Sequence, residues 1–227
     1  MDNTPTATDA TFDLTPIEVR VLGVLIEKAF VTPDAYPMSL NALLNGCNQL
    51  TAREPVMSLD ESAVQDAIDS LMARRLVSRR DQASARVAKY EHQVRLRHSL
   101  PPPEQAVLAT LLLRGAQTAG EIRSRCERLY RFDDIATIEG TLEHLAEKYP
   151  PMVASLPRAP GTKETRYMHL LGGDEPLQAA IEAQASGLPA AGGGRGRSAE
   201  LEEEVRRLRE ELDALKLDFA DFRRQFE

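Results

Sequence analysis

The chain has 227 residues, a formal net charge of -7, and 42% apolar and 28% charged side chains. These proportions suit a soluble globular protein of one large or two small domains, and no apolar run approaches the roughly 18 residues of a membrane span. Residues 14–100 carry 11 basic and 10 acidic side chains and residues 101–171 carry nine of each, so composition gives no support to phosphate neutralisation.

Residues 1–13, MDNTPTATDATFD, read as a disordered segment; they lack the basic and apolar blocks of a signal peptide, which points to the cytoplasm. A first helix begins at Thr15 with T-P-I-E, a capping box with proline at the first helical position, and Leu14 and Val19 are placed to close a hydrophobic staple. Leu22, Leu25 and Ile26 continue its buried side. A second helix starts near Ser39, with Leu40, Leu43, Leu44 and Cys47 inward. A third runs through Leu59–Leu76, where Val64, Ala67, Ile68 and Leu71 form one apolar stripe and Ser58 and Glu61 have capping-box spacing.

This order returns. Glu104, Leu108 and Leu111 match Glu18, Leu22 and Leu25 at an offset of 86; Thr118 and Cys126 match Ser39 and Cys47 at 79; Ile138, Leu142 and Leu145 match Val64, Ile68 and Leu71 at 74. The falling offsets place extra residues of the first repeat in Ala29–Met38 and Asn48–Met57. After each third helix come two short runs, around Val77 and Tyr90 and then around Val153 and Tyr167, whose alternation suits a hairpin. The reading is a mostly α fold with small β wings: tandem winged helix-turn-helix domains at 14–98 and 99–171. Cys47 and Cys126, one per repeat, read as buried reduced thiols.

Residues 172–198, rich in glycine and proline, read as a flexible linker with at most a turn of helix near Ala179. In the coiled-coil segment 199–227, Leu201, Val205, Leu208, Leu212, Leu215, Phe219, Phe222 and Phe226 form an unbroken heptad seam. Glu204, Glu211 and Asp218 each precede Arg209, Lys216 and Arg223 by five residues, the spacing that opposes unlike charges across a parallel homodimer. A helix folded back on its own domains is the alternative.

His92, His98, His144 and His169 show no metal-ligand spacing, no phosphate-binding glycine loop is present, and no nucleophile set forms, so neither catalysis nor a cofactor is expected. His92 and His169, like Tyr90 and Tyr167, hold equivalent places in the two hairpins, which a duplicated scaffold explains.

The strings TPDAYPMSLNALLNGCNQLTAREPVM (32–57), RGAQTAGEIRSRCERLY (114–130) and ETRYMHLL (164–171) resemble the bacterial YceH family, a family of unknown function, over about Leu14–Leu171 plus a coiled-coil tail. The resemblance implies two winged-helix domains in one chain and no particular reaction or ligand. At Leu50 the chain departs from the lysine common in similar sequences, which removes any phosphate contact from that position.

Two binding modes follow. The third helices expose Asp66 and Asp69, and Glu139, Glu143 and Glu147, which repel a DNA backbone, whereas Arg79, Arg80, Arg86 and Lys89 on the first wing and Arg158, Lys163 and Arg166 on the second favour a wing-led contact. Asn48, Gln49, Arg53 and Glu54 form a polar loop, read either as a recognition loop or as a helix stop with a local Arg53–Glu54 pair. The chain thus reads as a non-catalytic, dimeric DNA-binding or transcription-associated regulator, or alternatively as a protein interaction adaptor using its acidic third helices.

Overall fold

The structure, a computed structural model, describes residues 12–80, 87–158, 162 and 164–185, all within one compact unit. It is a mixed α/β protein, mainly helical, with two small antiparallel sheets. The first half contains α1 (Pro16–Val31), a 3-10 turn (Pro33–Ala35), β1 (Met38–Ser39), α2 (Leu40–Cys47), α3 (Glu61–Ala73), β2 (Val77–Arg80) and β3 (Lys89–His92). A five-residue helix, α4 (Val94–His98), leads to the second half: α5 (Pro102–Arg114), β4 (Gln117–Thr118), α6 (Ala119–Cys126), α7 (Ile135–Glu147), β5 (Val153–Ser155) and β6 (Arg166–His169). A last helix, α8, spans Asp174–Ala185.

The starts of α1, α2, α3, α6 and α7 are each set by a side-chain cap. Thr15 and Glu18 make the expected reciprocal capping box, as do Thr118 and Glu121 on α6. α3 differs from the sequence expectation, since Asp60 rather than Ser58 is its N-cap and accepts from the Ala63 amide at 2.8 Å. Asp134 does the same for α7, accepting from Thr137 at 2.7 Å. At an offset of 74 the two aspartates are the true equivalent pair, and an aspartate is as good a cap as the serine two residues earlier.

The expected hairpins are present, Val77 facing His92 and Val153 facing His169 in register. Each also carries a third strand, giving orders β1-β3-β2 and β4-β6-β5. A two-residue strand is too short to leave an alternation in sequence. Tyr36 docks the first insertion on this sheet, its hydroxyl accepting from the His92 amide at 2.7 Å.

The core runs through both halves without a break. Every residue of α1 from Glu18 to Ile26 is buried, because α2 and α3 cover one side and α5 the other. α5 is likewise buried from Glu104 to Leu113. The two helices approach closely at Gly23, where a Cβ would come within 3.0 Å of the Leu113 side chain. Cys47 and Cys126 are free thiols, fully buried as read from the sequence.

The segment read as a linker is corrected at 174–185, which is the twelve-residue helix α8. Asp174 and Glu175 sit in its first turn, favourable against the helix dipole, and Leu177, Ala180, Ile181 and Gln184 form a half-buried stripe. The flanking glycines masked that spacing. The heptad segment 201–226 lies outside the described residues.

Candidate functional site

α3 ends at Ala73, and Arg75 takes a left-handed conformation (φ 58) that closes the helix, with the Leu76 amide bonded to Leu71 O at 2.9 Å. The chain is thereby turned into β2, which carries Arg79 and Arg80 outward. Arg80 is not a free cation: its Nε lies 2.8 Å from Glu91 Oε1 on the paired strand. The same oxygen accepts from Ser78 and Gln93. Lys89 is half-buried opposite Arg80, and Arg86 lies outside the described residues.

Below this hairpin is an open groove of about 630 Å³, lined by Met72, Arg75, Val77, Arg79, Arg80, Leu96 and Arg97 among others. Leu96 and Arg97 belong to α4, which sequence reading missed. The available signal was the isolated leucine of Arg95-Leu96-Arg97, and Leu96 is indeed 79% exposed.

The second wing offers less. Arg158 is exposed and donates from Nε to Thr165 Oγ1 at 3.2 Å. Arg166 is half-buried, donating to Ala116 O at 2.7 Å and lying 3.3 Å from Glu121 Oε2, so it braces β6 against the start of α6. Lys163 lies outside the described residues.

The polar loop after α2 is occupied internally. Asn48 bonds the Leu59 backbone at both ends of its amide, each at 2.8 Å. Arg53 is 5% exposed and makes a bidentate pair with Glu27, both distances 2.9 Å, while also donating to Gly46 O, Ala52 O and Gln49 Oε1. The local Arg53–Glu54 pair is therefore corrected to Arg53–Glu27, an acid 26 residues away. Burial pushes Glu27 upward, but the bonds and charge of Arg53, with those of Lys28, hold it below the usual carboxylate range. Glu54 is raised, by burial first, against the pull of Arg125, Arg114 and Arg166. The apolar side chain this loop presents most openly is Leu50, 81% exposed, beside the exposed Thr51.

The third helices keep their exposed carboxylates, Asp66 and Asp69 on α3 and Glu139, Glu143 and Glu147 on α7. Burial pushes the thiols of Cys47 and Cys126 up to about 11, and it pushes His92 and His169 down to about 4, so the imidazoles are neutral at pH 7. Among the described residues, no three His, Cys, Asp or Glu side chains gather as metal ligands, and no helix is long and apolar enough to cross a membrane.

Comparison with known proteins places the chain in a family. The chain is 72% identical over 228 residues to a UPF0502 protein of Azoarcus sp. (strain BH72), which it matches along the whole of both chains. It is 50% identical over 209 residues to a UPF0502 protein of Vibrio parahaemolyticus, covering 90% of this chain and 95% of the relative. A UPF0502 protein of Chromobacterium violaceum is 46% identical over 205 residues, with 90% and 91% covered. Residues 14–162 match the family model described as protein of unknown function, DUF480, and the chain belongs to that family.

Proposed function

We propose that the chain is a non-catalytic binding protein of two winged-helix domains, 14–98 and 99–171, whose first wing takes an acidic, amphipathic segment of a protein partner. The observation that carries this reading is Leu96, exposed in a groove whose charged lining, among the described residues, is Arg75, Arg79, Arg80, Arg97 and one acid, Glu91. A leucine among guanidiniums suits a peptide that offers carboxylates beside an apolar side chain. A phosphate backbone gives leucine nothing to bury against. Exposed carboxylates on α3 and α7 also oppose the approach of a recognition helix to DNA.

The same arginines support a second reading, a DNA-binding or transcription-associated regulator led by its wing. On either reading, segment 201–226 pairs two chains as a parallel coiled coil, an assignment that rests on the heptad and its g-to-e charges.

Binding of a labelled amphipathic Glu/Leu peptide and of a labelled mixed-sequence duplex, each across a salt series, separates the two. The adaptor reading expects peptide binding that Leu96→Ser removes, with duplex binding absent. Duplex binding that falls steeply with salt and is indifferent to Leu96→Ser transfers the groove to DNA. Binding of neither ligand removes the groove as a site.

A further inference from the structure

The seam between the halves holds a second cavity, of about 200 Å³, walled by Val19 of α1, Met57, Leu112 of α5 and Met168 of β6, with Arg20 and His169 also lining it. The wall is almost wholly apolar. Its two buried polar side chains are both incompletely satisfied. Arg20, 1% exposed, donates to Cys47 O at 3.0 Å and to Pro55 O, but its Nε has no partner. His169, 7% exposed, has no partner at Nδ1.

Arg20 is also unbalanced in charge. No carboxylate among the described residues forms an ion pair with it; its electrostatic neighbours are Arg53, a second cation already matched by Glu27, and the neutral Cys47. Glu54 lines the same cavity, yet the cations acting on it are Arg125, Arg114 and Arg166 of the second half. A guanidinium withdrawn from water without an anion is a costly arrangement, and an anion supplied from outside would relieve it.

We propose that this cavity is a binding site for a small monocarboxylate with an apolar body, its carboxylate directed to Arg20 and its body held among Val19, Met57, Leu112 and Met168. The size is suitable, since an apolar cavity of about 150 Å³ already takes benzene. Seams between packed units are also where small-ligand sites concentrate. Without a ligand, burial holds His169 neutral at pH 7, so the cavity's standing positive charge is that of Arg20. The site stands apart from the wing groove and holds whichever macromolecule the wings bind. A ligand here would touch α1, α5 and β6 together and so tie the two halves to one another.

The test uses the full chain with methionine methyls labelled for NMR, titrated with benzoate and with benzyl alcohol as its neutral analogue. Benzoate should shift Met57 and Met168 saturably while Met38 and Met152, buried in the core and not part of the cavity wall, stay in place. It should bind at least about tenfold more tightly than benzyl alcohol, and Met57→Trp, which fills the cavity, should weaken it by at least about tenfold. Equal binding of the two probes overturns the role of Arg20. Absence of saturation at millimolar benzoate, or retention of binding in Met57→Trp, overturns the site. Arg20→Gln, where it folds, should lose the preference for benzoate; where it does not fold, the comparison of the two probes decides.

Discussion

The two halves share a backbone plan but satisfy their interiors by different chemistry. At the offset of 86, Arg20 in the first half stands where the second has Ala106, and Glu27 stands where it has Leu113. Between its second and third helices the first half carries five more residues. The end of α2 turns the carbonyls of Gly46 and Cys47 inward and the longer loop adds those of Ala52 and Pro55, and the guanidiniums of Arg20 and Arg53 answer them. The second half has no such loop, and it buries no guanidinium among inward carbonyls in the described residues: Thr110 donates to Ala106 O, and Gln117 to Thr110 O and Gly115 O. An inserted segment close to a core imports backbone polar groups, and long cationic side chains are the donors able to reach them.

The sharpest way to break this comparison is to remove the donor the insertion depends on. Arg53→Met leaves the Glu27 carboxylate, 13% exposed, with Lys28 at 3.0 Å as its remaining cation and takes the donor from Gly46 O, and should cost about 3 kcal/mol in urea unfolding. Adding Glu27→Leu, the residue found at 113, should recover part of that loss, because the half-paired buried carboxylate is then gone. A cost below about 1 kcal/mol for Arg53→Met would mean that the loop is held by its apolar contacts alone.

Where the halves agree, they should respond alike. Ile68 and Leu142 are equivalent and buried at 0% and 1% exposure, so alanine at either should cost about 2 to 5 kcal/mol. Since α1 and α5 share one core, both variants should unfold in a single transition. Two separated transitions would show that the seam does not couple the halves.

Much of this was legible because a duplication is read twice. The helices of the two repeats, the hairpins and the buried cysteines follow from periodicity that recurs at defined offsets, and the capping box at Thr15 follows from its T-P-I-E spacing. What stayed hidden depends on contacts distant in sequence. No local pattern ties Arg53 to Glu27, and an arginine beside a glutamate invites the wrong local pair. Nor does amphipathicity flag Arg20, since α1 is buried all round and a single cation on it reads as a surface residue. Of the wing cations, Arg80 and Arg166 turned out to be matched by Glu91 and Glu121 across the fold, while Leu96 became conspicuous only once α4 was placed beside the groove. α8 was hidden by the glycines on either side of it.

The equivalent histidines provide a pH test of the same symmetry. Both are held near pKa 4 against an ordinary 6.5, so the unfolded chain binds their protons first as pH falls. Their neutral burial therefore costs no stability above about pH 6.5, and stability should fall by about 1.4 kcal/mol per pH unit for each histidine between about 6.5 and 4. His169→Gln and His92→Gln should flatten this slope by similar amounts. Glu27, whose pKa is lowered, also loses stability on acidification, but only as pH falls through the carboxylate range, so the two causes separate by window.

The smallest expected effect lies at the starts of α1 and α5. Thr15 and Pro101 occupy the same N-cap position with nearly the same backbone, φ -62, ψ 159 and φ -69, ψ 163, yet only Thr15 has a hydroxyl to offer. In the first half Glu18 returns the bond to the Thr15 amide at 2.6 Å and stands 3.9 Å from Arg74. In the second half Glu104 has no capping amide to accept from, because Pro101 has no N–H, and it lies 3.0 Å from Lys148 instead. Thr15→Ala should therefore cost about 1 kcal/mol. Pro101→Ser supplies the missing hydroxyl, but it also frees the unfolded chain by about 0.4 to 1 kcal/mol, so the net change should be close to zero. Both values can be read from urea midpoints at constant slope. A loss in Pro101→Ser as large as that in Thr15→Ala would show that the rigid proline start, and not the cap, is what the second half relies on.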